Sequence, residues 1–196
     1  MFMVGDVMLN IDFRGVRLCV KFSFFFVIAL LALTEGFEEV RLFAALGACV
    51  CHELGHIFAM SAFGSAPEEI ALYGGGIKIT TQGEQFFGRG VQTVILLAGC
   101  AVNFVLAAVF FITGAPRVLW LVNVVLGCFN LLPFSYFDGG RVLELYLPIR
   151  AYDHIRAAAV ALTAIGMIWL ILSGKAGPSL GATYALVLIS ELTKKR

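Results

Sequence analysis

The chain has 196 residues and a formal net charge of +1, and 60% of its residues are hydrophobic while only 14% are charged. A soluble domain is nearer half apolar and a quarter charged, and the mean hydropathy here is +0.94. This composition excludes a soluble enzyme, and the absence of a large basic patch gives no reason to expect a nucleic-acid partner. The apolar runs are longer than barrel strands and do not alternate, so we predict an all-α membrane protein, a polytopic bundle of about six transmembrane helices.

Six apolar runs define the predicted spans, and together they make one membrane-embedded domain over residues 1–196. The runs lie at approximately 20–34, 40–63, 91–113, 118–133, 155–172 and 179–192. The first run is shorter than the ~20 residues that a span usually needs. It also begins late, near Phe22, and lacks a small-residue cleavage site, so we expect no cleavable signal peptide.

Residues 64–90 interrupt the helical pattern. The triplet Gly74–Gly76 stops any helix, and apolar residues alternate on either side of it. This pattern predicts a short β-hairpin with strands Glu68–Tyr73 and Ile77–Thr81, at the membrane interface or against protein, because a sheet edge cannot face lipid. A disordered loop is the alternative. Residues 10–17 are predicted to form a short strand or turn at the membrane surface.

The basic residues orient the bundle. With six spans both termini lie on one side, and of the 14 lysine and arginine residues only Arg41, Arg117 and Lys175 fall on the other side. Cytoplasmic loops carry the excess of basic residues. We therefore predict a multi-pass protein of the cell membrane with both termini and the 64–90 loop in the cytoplasm.

The second span carries the motif His52-Glu53-Leu54-Gly55-His56. On a helix, His52 and His56 share one face, so both imidazoles can reach one zinc ion with Glu53 beside them as a general base. Two imidazoles and a carboxylate packed in an apolar core without a metal would each need another partner. The motif therefore predicts a zinc site.

A catalytic zinc takes three protein ligands, so a third must come from elsewhere in the chain. Asp138 follows the fourth span, which descends to the same level as the two histidines, and Gly139 and Gly140 behind it allow close backbone approach. A turn or helix N-cap is the other interpretation of Asp138. His154 is the alternative ligand, although an interfacial histidine is the simpler explanation of its position among charged residues.

Three segments together resemble the site-2 protease family of intramembrane zinc metalloproteases. They are the motif at His52–His56, the segment Gly99-x-x-x-Asn103, and the run from Asn130 through Asp138 to Arg141. The resemblance covers roughly residues 20–145 with the motifs in the family's order. Six spans and a site toward the cytoplasm are similar to the branch that contains the stage IV sporulation protease.

The resemblance implies that His52, His56 and Asp138 bind Zn²⁺ and that Glu53 is the catalytic base. It further implies that Asn130 and Asn103 help to place the substrate backbone, and that the predicted hairpin holds the substrate as an added strand.

The implied activity is hydrolysis of a peptide bond in a membrane-tethered protein near the cytoplasmic face. The sporulation branch suggests a transcription-factor precursor as substrate. An inhibitory membrane partner is compatible with this interpretation, and the oligomeric state is not indicated.

The chain departs from the family pattern at a few positions. Cys100 stands where a proline is frequent, and Ser135 and Tyr136 replace prolines before the aspartate. The family's inserted PDZ domain and its regulatory cystathionine-synthase-type domain do not occur in this sequence, so we expect either a minimal form or a protein that continues past Arg196. The five cysteines have no CxxC spacing, and we expect no disulfide.

Two other functions compete with proteolysis. A catalytically inactive metal-binding membrane protein or chaperone would use the same ligands, but it would not need Glu53. A small metal transporter would need carboxylates or histidines along a path across the membrane, whereas here they cluster at one depth.

Overall fold

A computed structural model describes residues 7–13, 16–21, 39–65, 67–73, 76–81 and 87–174, and the single positions 181, 184, 185, 187–189 and 191. Over this part of the chain the helices are α1 Glu39–Ala62, α2 Arg89–Ile112, α3 Arg117–Asn130, α4 Asp138–Tyr146 and α5 Ile149–Leu172. The strands are β1 Val7–Phe13, β2 Val16–Lys21, β3 Pro67–Tyr73 and β4 Gly76–Thr81.

Among the described residues, three helices are long and apolar enough to cross a membrane. They are α1, α2 and α5, each of 24 residues. Helix α3 is also apolar but has only 14 residues, which at ~1.5 Å per residue is shorter than the ~30 Å hydrocarbon core. The structure is therefore mostly helical, with helices suited to a membrane.

The predicted spans 40–63 and 91–113 correspond to α1 and α2 to within two residues at each end, but two others need correction. Helix α3 ends at Asn130 rather than at 133, because Pro133 has no N–H and its ring would clash with the preceding turn. Helix α5 begins at Ile149 rather than at 155. Pro148 stands just before its first turn, where a missing N–H costs no hydrogen bond.

The first and last predicted spans fall largely outside the described residues. Of the predicted span 20–34, residues 20 and 21 belong to strand β2 instead, and residues 22–34 are not described. Of the predicted span 179–192, only residues 181, 184, 185, 187–189 and 191 are described, and all of them are helical.

The strands form one four-stranded sheet in the order β1-β2-β3-β4. Strands β3 and β4, which include the two strands of the predicted hairpin, pair antiparallel, as do β1 and β2. Strands β2 and β3 are parallel, with Leu18 opposite Ile70. A parallel pair needs a long connection, and here the connection contains α1. The strands at residues 67–81 are thus part of a larger sheet, to which residues 7–21 add two strands.

Helix α2 is the central helix, because it contacts α1, α3 and α4. It approaches α1 closely at Gly55, where a Cβ would lie 2.8 Å from the carbonyl oxygen of Ala98. Small residues that allow backbones to approach are typical of helix contacts in membranes. The interior next to this contact is polar, and its buried side chains include His52, His56, Asn103, Asn123 and Asp138.

Candidate metal centre

His52 and His56 lie one helical turn apart on α1 and point into the bundle. They are 4% and 8% exposed. Their rings meet edge to face, with centroids 4.7 Å apart, and their Nε2 atoms are 3.1 Å apart. The helical spacing i, i+4 therefore directs two imidazole nitrogens at one point.

Asp138 is the third member of the cluster and comes from a distant part of the chain, 86 positions after His52. It is the first residue of α4, and its Oδ2 lies 3.1 Å from His52 Nε2 and 3.3 Å from His56 Nε2. A carboxylate binds a cation in its ionised form, which is the usual state of an aspartate at neutral pH.

Hydrogen bonds at the outer ring nitrogens fix the tautomer of both histidines. His56 Nδ1 donates to the carbonyl oxygen of Ile95 at 2.7 Å, and His52 Nδ1 donates to Asn103 Oδ1 at 2.6 Å. Both Nε2 atoms then carry a lone pair toward the cluster. This is the arrangement that second-shell partners impose on metal-binding histidines.

Asn103 is itself held in orientation by a second asparagine. Its Nδ2 donates to the carbonyl oxygen of Ala48 at 3.2 Å and to Asn123 Oδ1 at 2.9 Å. Asn123 Nδ2 donates in turn to the carbonyl oxygen of Leu119. These hydrogen bonds fix the orientation of the Asn103 side-chain amide, with its oxygen toward His52.

The geometry of the three ligand atoms fits zinc. Two imidazole lone pairs and a carboxylate face one another at 3.1 to 3.3 Å, an arrangement of acceptors that a shared cation stabilises. Tetrahedral zinc with bonds of ~2.0–2.2 Å places its ligand atoms roughly 3.4 Å apart. Among the residues described, this is the group of histidine, cysteine and carboxylate side chains close enough to hold a metal ion.

Gly99 on α2 makes room for the two imidazoles. A Cβ at this position would lie 2.5 Å from His56 Nε2 and 2.7 Å from His52 Nε2, which is closer than real Cβ contacts. On α4, a Cβ on Gly139 would overlap the carbonyl oxygen of Leu131, and one on Gly140 would overlap that of Phe134. The ligands meet because three neighbouring positions carry no side chain.

Glu53 lies next to His52 on α1 and is only partly buried. It interacts electrostatically with His52, His56, Asp138 and Arg141. The carboxylate is thus near the metal ligands without being one of the three that converge.

The remaining predicted site residues lie in different surroundings. Asn130, at the end of α3, donates to the carbonyl oxygen of Leu126 in its own helix. Asn103 is fully buried and bonded to His52, a partner other than the substrate backbone that the sequence suggested. His154, the alternative third ligand, is an exposed residue of α5 whose Nδ1 lies 2.6 Å from the Arg150 carbonyl oxygen. The five cysteines are free thiols.

Sequence reasoning missed the roles of Asn123 and Gly99. An asparagine inside an apolar helix is costly to bury, so its presence was a signal that it had a polar partner. Its position on the same helix as Asn130 did not reveal which asparagine faced the site.

The chain is similar in sequence to proteins named as zinc metalloproteases. No family model matches the chain. It is 34% identical over 122 residues to zinc metalloprotease MJ0392 of Methanocaldococcus jannaschii, an alignment covering 57% of this chain and 35% of the relative. It is also 34% identical over 143 residues to Rip3 of Mycobacterium tuberculosis, assigned as a zinc metalloprotease, covering 65% of this chain and 36% of Rip3. The chain thus spans about a third of the length of these relatives.

A solved structure has the same fold. The site-2 protease from Methanocaldococcus jannaschii superposes with a TM-score of 0.65 at 22% sequence identity, over 96% of this chain and 95% of that one. At this identity the superposition establishes the fold alone.

Proposed function

We propose that this chain is a member of the site-2 protease family and an intramembrane zinc metalloendopeptidase that hydrolyses a peptide bond of a membrane-tethered protein. The proposal depends mainly on the convergence of His52, His56 and Asp138 on one point. Glu53 lies beside the two histidines on α1, a helix that is long and apolar enough to span a membrane. Three protein ligands leave a fourth position for water or substrate, as catalytic zinc sites do.

The chemistry divides between the metal and the chain. When bound, zinc lowers the pKa of a coordinated water toward neutrality and polarises a carbonyl oxygen. Glu53 takes a proton from the attacking water and later delivers a proton to the leaving nitrogen. Ile95 and Asn103 keep the two imidazoles in the tautomer whose Nε2 is free to bind. Asp138 contributes the negative charge that balances the cation.

The substrate is proposed to bind as an extended strand. A helical segment hides its carbonyl groups in hydrogen bonds, so the cleaved region must unwind, and its freed backbone groups then need partners inside the membrane. Strand β4 supports this role, since it is the last strand of the described sheet in the order β1-β2-β3-β4. Pairing with a sheet edge would satisfy the substrate backbone, and Asn130 is proposed to contribute from the other side.

The substitution Glu53→Gln tests the proposal. It keeps the size of the side chain but removes the base, so we expect cleavage of a membrane-tethered reporter to fall by about 10²- to 10⁴-fold, while zinc bound per chain stays at the wild-type level. Glu144→Gln, at an exposed carboxylate of α4, is the matched control and should cleave normally.

Two outcomes would contradict the proposal. A Glu53→Gln protein that cleaves at the wild-type rate would remove Glu53 as the base. A wild-type protein that binds zinc but cleaves no membrane-tethered reporter in a broad panel would instead favour an inactive metal-binding protein.

A further inference from the structure

A second buried polar cluster lies outside the metal ligands, and the proposed mechanism does not use it. Its centre is Glu191, in the C-terminal segment, which is only 2% exposed. A carboxylate is rarely buried to this extent unless it is paired and hydrogen-bonded, because leaving water is strongly unfavourable for a charge. Glu191 must therefore have partners that compensate for the burial of its charge.

The carboxylate of Glu191 is bound on two sides. The backbone N–H of Ser135 donates to both of its oxygens, at 3.1 and 3.0 Å, and Ser135 Oγ donates to Oε1 at 2.8 Å. Arg156 Nη1, from α5, donates to the same Oε1 at 3.1 Å. Tyr152, which is also on α5 and fully buried, donates from its hydroxyl to Ser135 Oγ.

Ser135 lies in the turn between α3 and α4, three residues before the metal ligand Asp138. This turn packs closely against the start of α4, because a Cβ added at Gly140 would overlap the carbonyl oxygen of Phe134 and one added at Gly139 would overlap that of Leu131. A displacement of the turn is therefore transmitted to Asp138 with little room for side-chain adjustment.

We propose that Glu191 is a positioning residue for the metal centre: its carboxylate, paired with Arg156, holds Ser135 and so fixes the turn that places Asp138. The C-terminal segment and α5 thereby support a ligand that lies in neither of them. The inference rests on the proposed function only through Asp138 as a metal ligand, so it can be tested without any cleavage assay.

The primary test is the zinc affinity of the full chain in detergent micelles, measured by competition with a chromophoric chelator. Glu191→Gln removes the charge and one acceptor, and we expect the dissociation constant for zinc to rise about 10-fold, the lower end of the effect of losing a direct partner of a metal ligand, because Glu191 acts on Asp138 through Ser135. Glu144→Gln makes the same chemical change on the surface of α4 and should bind as the wild type does. A Glu191→Gln affinity within twofold of the wild type would overturn the proposal.

A second measurement separates positioning from general loosening of the fold. In an Asp138→Asn background the effect of Glu191→Gln on zinc affinity should largely disappear, because the ligand through which Glu191 acts has already been weakened. An equally large effect in both backgrounds would show that Glu191 acts on the fold and not through Asp138.

Ser135→Ala provides a milder variant in case Glu191→Gln does not fold. It removes the hydroxyl's hydrogen bonds to Glu191 and Tyr152 but keeps the backbone bonds to Glu191, so we expect a smaller rise in the zinc dissociation constant, at unchanged elution in size-exclusion chromatography. Unchanged affinity in this variant would count against the proposal.

The experiments also distinguish failure of the positioning role from failure of the proposed protease function. If Glu191→Gln binds zinc normally while Glu53→Gln abolishes cleavage, the positioning role fails and the protease stands. If zinc affinity falls as expected but the wild type cleaves nothing, the protease fails and the positioning role stands.

Discussion

The two histidines of the candidate metal centre are held in place by single neighbouring residues. His52 and His56 pack against α2 at Gly99, where the helix has no side chain, and their outer nitrogens are held by Asn103 and the backbone of Ile95. Each imidazole is thus fixed in both orientation and tautomer before a metal binds. A site prepared in this way loses little entropy on binding its ion.

At the residue scale, we predict that Gly99→Ala strongly weakens zinc binding. The new methyl group would meet both imidazoles at 2.5 to 2.7 Å, so the rings must move and the three ligands can no longer converge. We expect an affinity loss of about 10- to 100-fold, comparable to the loss of an outer partner, measured by chelator competition.

Gly90→Ala is the control in the same helix. A Cβ at Gly90 has nothing within 4 Å, and alanine is the better helix former by about 1 kcal/mol, so this variant should bind zinc normally and be at least as stable. Equal zinc affinities for the two variants would mean that Gly99 does not hold the imidazoles in place.

At the scale of elements, the contact between α1 and α2 sets the depth and direction of the motif. Gly55 on α1 lies against the carbonyl oxygen of Ala98 and the side chain of Val102 on α2. Because Gly55 stands between His52 and His56 in sequence, this close helix contact lies at the level of the two histidines. A change in the packing of α1 against α2 would therefore also change the positions of His52 and His56.

For this contact, we predict that Gly55→Ala destabilises the protein although it favours the helix. A Cβ would lie 2.8 Å from the Ala98 carbonyl oxygen, and overpacking of this kind costs about 1–3 kcal/mol, more than the ~1 kcal/mol gained in helix propensity. Gly47→Ala, also on α1 but with nothing within 4 Å, should not lower stability. Thermal unfolding in micelles measures both, and a Gly55→Ala midpoint at or above that of Gly47→Ala would contradict the prediction.

At the scale of the whole molecule, the exposed apolar surface favours insertion into a membrane, and the basic residues favour one orientation across it. Helix α5 exposes large apolar side chains along its length, among them Leu162, Ile165, Ile168, Trp169 and Leu172. Such a surface requires lipid or another apolar element to cover it. The uneven distribution of lysine and arginine then favours one orientation.

We predict that the turn after α5 faces away from the cytoplasm and that the turn before it faces the cytoplasm. A phosphatase reporter that is active only outside the cytoplasm should be active when fused after Gly174 and inactive when fused after Leu147. The reverse pattern would invert the orientation, and equal activity at both positions would mean that α5 does not cross the membrane.

Local patterns in the sequence were sufficient for α1 and α2 and for the placement of His52 and His56 on one helical face. The apolar runs gave α1 and α2 nearly to the residue, and the spacing of His52 and His56 put both on one helical face, because these properties depend only on neighbouring residues. The predicted end of α3 and start of α5 differ from the structure, because Pro133 and Pro148, and not hydrophobicity, set these two helix ends. The two strands at residues 7–21 were only partly foreseen, since the strand with which they pair comes after α1.

What the sequence by itself determined was a membrane-type helical protein with an H-E-x-x-H motif and a short set of candidates for the third ligand. Only the tertiary structure brought Asp138 to within 3.3 Å of both histidines, 86 positions beyond His52. It also assigned Asn103 to His52 and Glu191 to Ser135. The reason is physical: such contacts join residues far apart in the chain, and they depend on how closely glycine-bearing helices pack, which no local pattern records.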